Sequence, residues 1–111
     1  VATDTMDWRQ DLQRRFPDWQ SAEAIAQWPA VTDTLSVGQR VVGEVIAIAE
    51  FGLWLDIGVG FPALLLLPYA GAAQRAPARS EEIAHIGEII DARIRVMGPR
   101  GEIGLTQNRM T

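Results

Sequence analysis

At Val37 the chain changes period. Upstream, apolar residues recur at helical spacing; from Val37 onward they alternate or form short β-branched stretches punctuated by glycine, the pattern of strands separated by turns. The first stretches are Val37-Gly38-Gln39-Arg40-Val41-Val42-Gly43-Glu44-Val45 and Phe51-Gly52-Leu53-Trp54-Leu55-Asp56. Further stretches complete a set of strands expected near 39–49, 52–57, 63–67, 88–97 and 102–106. In the fourth, Ile90, Ala92, Ile94 and Val96 should face a core while Asp91, Arg93 and Arg95 face water, because side chains alternate along a strand. Gly98-Pro99-Arg100-Gly101 is strong hairpin punctuation before the fifth. The insert 69–87 separates strands 3 and 4; its second half, Ser80 to Ile86, could form a short helix capped by Ser80.

Before Ser36 the chain reads as helical. Trp8, Leu12 and Phe16, with Arg15 beside them, recur at spacing four, as on one face of an amphipathic helix. Phe16-Pro17 breaks it, since a residue preceding proline avoids the helical region. A second helix is expected from Pro17 or Ser21 to Trp28, stopping at Pro29, with 30–36 as a linker. Trp8, Trp19 and Trp28 carry large apolar areas that need cover. They either pack onto the barrel and each other or form a docking surface for another protein.

At 111 residues, the chain has room for one typical domain and an appendage: a helical, Trp-rich extension over 1–36 and a β domain over 37–111. With 48% apolar and 22% charged residues it can bury a core. There is no cysteine and one histidine, His85, so disulfides and thiolate metal sites are excluded, and no metal or cofactor is expected. The longest apolar run, Phe61 to Leu67, is broken by Pro62 and too short to span a bilayer. No signal peptide is visible, and a cytoplasmic location is expected. Asp56, Glu81, Glu82, Glu88 and Asp91 form no catalytic pair legible in the sequence and read as solvated charges, so no enzymatic activity is expected. The net charge is −4, and every basic residue is arginine. Residues 1–36 hold Arg9, Arg14 and Arg15 against Asp4, Asp7, Asp11, Asp18, Glu23 and Asp33, accounting for three of the four net negative charges. The remainder is close to neutral.

From Val37 to Thr106 the chain resembles the S1 domain, an OB-fold family that typically binds RNA. Gly38, Gly43 and Val45 match the family's opening, and Phe51, Gly52 and Trp54 its second strand. Gly87, Glu88, Ile90, Ile94 and Val96 match the fourth strand; Ile103, Leu105 and Thr106 match the last. The resemblance implies a mainly β, five-stranded OB-fold barrel with a short helical N-terminal extension. Gly43 is expected where the first strand bends, and Gly52 where the chain turns between strands 1 and 2. Phe51 and Trp54 fall where the family stacks unpaired bases; the alternative is that either packs under the N-terminal helices or the insert 69–87. Other family positions depart: Leu66 stands for a histidine, Pro68 for a serine, Ala63 for a glycine, Gly98 for an aspartate and Glu102 for a basic residue.

Two functions remain in view. One is a non-catalytic module that binds single-stranded RNA weakly and with little sequence preference, with bases on Phe51 and Trp54 and phosphates near Arg93, Arg95 and Arg100. The other is an S1-derived protein-interaction module, its partner met by the apolar strand-3 face (Leu64 to Leu67) or by the Trp-rich N-terminus.

Overall fold

Asp7 opens the first helix by accepting a hydrogen bond from the Gln10 backbone N–H at 3.3 Å in the computed structural model, which describes residues 7–71 and 83–108. Helix α1 spans Trp8–Arg15 and stops at Phe16, whose extended backbone (φ −130°, ψ 71°) suits the following proline. Pro17 to Gln20 form a turn that carries Trp19. Ser21 then caps α2, Ala22–Thr32, by accepting from the Ala24 N–H at 3.1 Å.

Helix α2 does not stop at Pro29 as expected; it continues through it to Thr32, so the first three residues of the anticipated linker are helical. Pro29 is exposed, and its carbonyl accepts from the Asp33 N–H at 3.1 Å and the Thr32 hydroxyl at 2.9 Å. An interior proline costs about 3 kcal/mol, and the neighbouring Trp28 supplies a comparable gain. Trp28 is 3% exposed and packs edge-on against Phe61 at 4.9 Å, a burial worth roughly 1.5–3 kcal/mol. Its indole N–H also donates to the Gly98 carbonyl at 2.7 Å, adding about 1 kcal/mol. Trp28→Phe should therefore keep the fold and lower the unfolding free energy by about 1 kcal/mol in a urea titration; an unchanged midpoint would contradict this anchoring.

Strands β1 (Arg40–Ala49), β2 (Gly52–Asp56), β3 (Pro62–Leu66), β4 (Ile89–Met97) and β5 (Ile103–Thr106) close into a barrel in the order β1-β2-β3-β5-β4. Each starts and ends within one residue of its expected place. One half of β1 pairs with β4 (Arg40↔Arg93 to Glu44↔Ile89) and the other with β2 (Glu44↔Asp56 to Ala49↔Gly52). The strand serves both neighbours because it is bulged between Val45 and Ala47, and a bulge bends and twists a strand. Thus the irregularity lies at Ile46 and not at Gly43. Gly43 is needed for close approach: a Cβ there would sit 2.9 Å from Ile57 Cγ2 and 3.1 Å from the Asp56 carbonyl oxygen.

Val45, Leu53, Leu55, Ala63, Leu65, Ile94 and Leu105 fill the barrel, and Trp28 and Phe61 join the same core. A second cluster lies outside, where Leu12 and Phe16 pack on Ile46 and Ala47.

The alternation of β4 holds through Ile94 and then fails. A second bulge between Ile94 and Val96 shifts the register, leaving Val96 44% exposed, Arg95 half-buried and Met97 against the core. On β3, Leu65 points inward, while Leu64 and Leu66 are half-buried. Leu64 lies in register between Trp54 and Gly104, and Leu66 beside Gly52, so leucines do stand on both faces of β3, and the outward ones are half-buried. The larger exposed apolar residues are instead Val37, Val42, Phe51, Ile86, Ile89 and Val96. Of the helix expected at 80–86, positions 83–86 are non-helical and 80–82 lie outside the described residues. No helix among the described residues is long and apolar enough to cross a membrane.

Candidate nucleic-acid interface

Gly52 brings β2 unusually close to β3, because a Cβ there would collide with the Leu65 carbonyl oxygen and lie 2.9 Å from Leu66 Cα. The tight approach leaves Phe51 at the β1–β2 turn, 40% exposed. Trp54, two positions along β2 from Gly52, shares its outward side, in register with Ala47 on one flank and Leu64 on the other.

Trp54 is half-buried because the N-terminal segment lies over it. The Trp8 ring is stacked on Trp54 with centroids 5.8 Å apart and planes 20° from parallel. It also meets Phe51 edge-on at 5.3 Å and 85°. Trp19 tilts against Trp54 at 6.4 Å, and the Arg9 guanidinium sits 4.6 Å from the Trp8 centroid. Such aromatic pairs and cation–π contacts are each worth about 0.5–1.5 kcal/mol. A cleft of about 420 Å³ opens among Trp8, Leu12, Phe16, Trp19 and Trp54, with Gln13 and Gln20 also lining it. The Trp54 indole N–H is buried with no acceptor among the described residues.

Arg15 holds α1 to the same face. It donates to Asp56 Oδ2 at 2.8 Å and to Glu44 Oε1 at 3.3 Å, carboxylates that are direct register partners on β2 and β1. Like charges placed opposite each other destabilise a sheet, and the guanidinium between them removes that penalty. Hydrogen bonds to Asp56 and then Glu44 raise the Arg15 pKa. A raised basic pKa adds stability below the unfolded value that is lost only as pH climbs through the folded one. On the arginine side, the clamp is therefore intact at neutral pH and is lost only in strong alkali. The pair is well exposed, so its net worth is below about 1 kcal/mol.

The three arginines expected to meet phosphate are not gathered around Phe51 and Trp54. Arg93 donates to the Gly38 carbonyl at 2.9 Å, on β4, which borders β1 and β5 but not β2. Arg95 lies 4.0 Å from the Tyr69 ring centroid, with its Nε buried and unpartnered among the described residues. Arg100 is exposed in the β4–β5 turn. Its backbone N–H is bonded at 2.9 Å by Glu102 Oε1, so that carboxylate is engaged by its own turn. This turn adjoins the platform through Trp19, which lies 3.7 Å from where a Cβ on Gly101 would be. Among the described residues, the cations held at the platform by α1 are Arg9 and Arg15, neither of which was singled out from sequence. Their signal was the Trp8-Leu12-Phe16 stripe, which needed only a matching apolar stripe on the barrel.

No family model and no curated protein matches the chain. Among solved structures, it is similar to the crystal structure of an a/eIF2alpha–aDim2p–rRNA complex from Pyrococcus horikoshii OT3 (24% identity, TM-score 0.59, 68% of this chain and 46% of that one). It is also similar to the intact alpha subunit of aIF2 from Pyrococcus abyssi (24% identity, TM-score 0.57, 68% of this chain and 30% of that one). The solution structure of GSP13 from Bacillus subtilis is a further match (16% identity, TM-score 0.54, 65% of this chain and 55% of that one). The chain thus spans less than two thirds of each of these three chains. The likeness is one of fold, the five-stranded S1-type OB barrel.

Proposed function

We propose that the chain is a non-catalytic module that binds single-stranded RNA weakly and with little sequence preference, stacking bases on Phe51 and Trp54. The observation that carries this reading is the stacked Trp8–Trp54 pair: the outward face of β2 already accepts a flat aromatic ring lying parallel on Trp54. Base–aromatic stacking contributes about 1–3 kcal/mol per base and tolerates any base, since every base has a π-face. The S1-type barrel supports it too, one fold neighbour having been solved in a complex with rRNA.

Low affinity follows from charge. With net −4 overall, Arg100 and one further arginine make a reasonable phosphate complement. Two contacts to a single strand give a slope of log K against log salt of about −1.4. Titration of tryptophan fluorescence with short oligo(U) and oligo(A) should give similar affinities for both, weakening roughly sevenfold between 50 and 200 mM salt. No response to either oligomer at low salt would contradict the reading.

A second reading as a protein-interaction module draws on Val42, Ile86 and Ile89, all more than half exposed. It predicts a stable nuclease-resistant complex or dimer on size exclusion that Ile89→Glu dissolves; a monomer at all concentrations, with no such complex, would contradict it.

A further inference from the structure

The stacking platform already has an occupant. We propose that α1 is an intramolecular competitor, with Trp8 filling the place of a base on Trp54, and that single-stranded RNA binds by displacing it. This rests on the RNA-binding reading above.

The geometry distinguishes replacement from insertion. With the Trp8 and Trp54 centroids 5.8 Å apart, no third ring fits between them, so a base reaches the face of Trp54 only where Trp8 now lies. Trp8 also spends its edge contact on Phe51, 5.3 Å away. A single side chain therefore engages both rings of the platform, and both are released together when it leaves.

The docked state rests on one short helix, packed through Leu12 and the adjoining Phe16 on Ile46 and Ala47. Helix α1 has eight residues, of which only Leu12 is fully buried, and helices this short are unstable without tertiary support. Its charged anchor is Arg15 on Glu44 and Asp56, a well-exposed contact that contributes little. Pro17, just beyond the helix, interrupts any rigid continuation into α2. Docking also leaves the Trp54 indole N–H buried without an acceptor among the described residues, a cost that undocking relieves by returning it to water. A fully integrated helix would be expected to satisfy that donor, as the Trp28 indole is satisfied by the Gly98 carbonyl at 2.7 Å.

The consequence is a lowered apparent affinity. A ligand that binds only the open form has its dissociation constant raised by the reciprocal of the open fraction. Emptying the platform should therefore strengthen binding, although an aromatic residue has been removed.

The test compares wild type, Trp8→Ala and Arg15→Gln in oligo(U) titrations of the full chain, with circular dichroism confirming the barrel. Trp8→Ala should tighten binding about tenfold and Arg15→Gln about threefold, as the open fraction rises. The two variants loosen α1 by different means, so failure of one to fold leaves the other to decide. Wild-type binding that is unchanged or weaker in the folded variants overturns the proposal and leaves the RNA reading standing. Absence of binding in wild type and folded variants alike removes the RNA reading, and the competitor role with it.

Discussion

Alanine at both Phe51 and Trp54 should reduce affinity for short single-stranded RNA about thirtyfold or more. Each base–aromatic stack contributes about 1–3 kcal/mol, and losing two such stacks gives a combined loss of roughly 2–6 kcal/mol. The two positions differ in what else they do. Phe51 sits at the rim of the β1–β2 turn, 40% exposed, so Phe51→Ala alone should weaken binding about tenfold with little change in stability. Trp54 also supports Trp8 and Trp19, so its truncation loosens the N-terminal segment and must be accompanied by a measure of folding. If the doubly substituted protein keeps its barrel and binds oligo(U) as wild type does, the platform is not the binding site.

Leu65→Ala should have the largest effect on stability, about 2–5 kcal/mol. Leu65 is 0% exposed and points into the barrel from β3, opposite Leu53 of β2 and one residue from the β3–β5 pairing that closes the cylinder. Small domains have roughly 5–15 kcal/mol in total, so this change should shift the urea midpoint far down or abolish the transition. Leu64→Ala, on the outward and half-buried side of the same strand, should cost less than half as much. Equal costs at Leu64 and Leu65 would mean that the register of β3 is wrong, since a one-residue slip exchanges the two faces.

Much of the barrel was legible because its signals are local. Glycine and proline mark the turns, and the inward set of β4 up to Ile94 follows strand alternation. Where the pattern misled, a local rule met a tertiary gain or a single inserted residue. The β4 bulge reverses the expected sides of Arg95 and Val96, and nothing in Arg93-Ile94-Arg95-Val96-Met97 announces it. Pro29 was expected to end α2, yet Trp28, buried against Phe61 and bonded to Gly98, offsets its cost. The leucines from Leu64 to Leu67 were expected on both faces of their strand with the outer ones covered, and Leu64 and Leu66 are half-buried.

The candidate site divides along the same line. Phe51 and Trp54 were identified from their own strand. That the N-terminal helices or the insert would cover them was an open alternative, and the contacts that decide it are non-local: Arg15 meets Glu44 and Asp56 across 29 and 41 residues of sequence, and Trp8 stacks on Trp54. The amphipathic stripe of α1 was visible, and so was the need to cover its tryptophans. The two open alternatives resolve together: the stripe of α1 lies on the platform, and the platform covers the stripe.

The most direct test follows the tryptophan indole N–H resonances of the full chain during titration with oligo(U). The account predicts that the resonances of Trp8 and Trp54 move early and together, as α1 leaves and a base arrives, while that of Trp28, bonded to the Gly98 carbonyl, stays in place. Saturable binding that leaves Trp8 and Trp54 unmoved would contradict it, because the nucleic acid would then lie on some other face of the barrel.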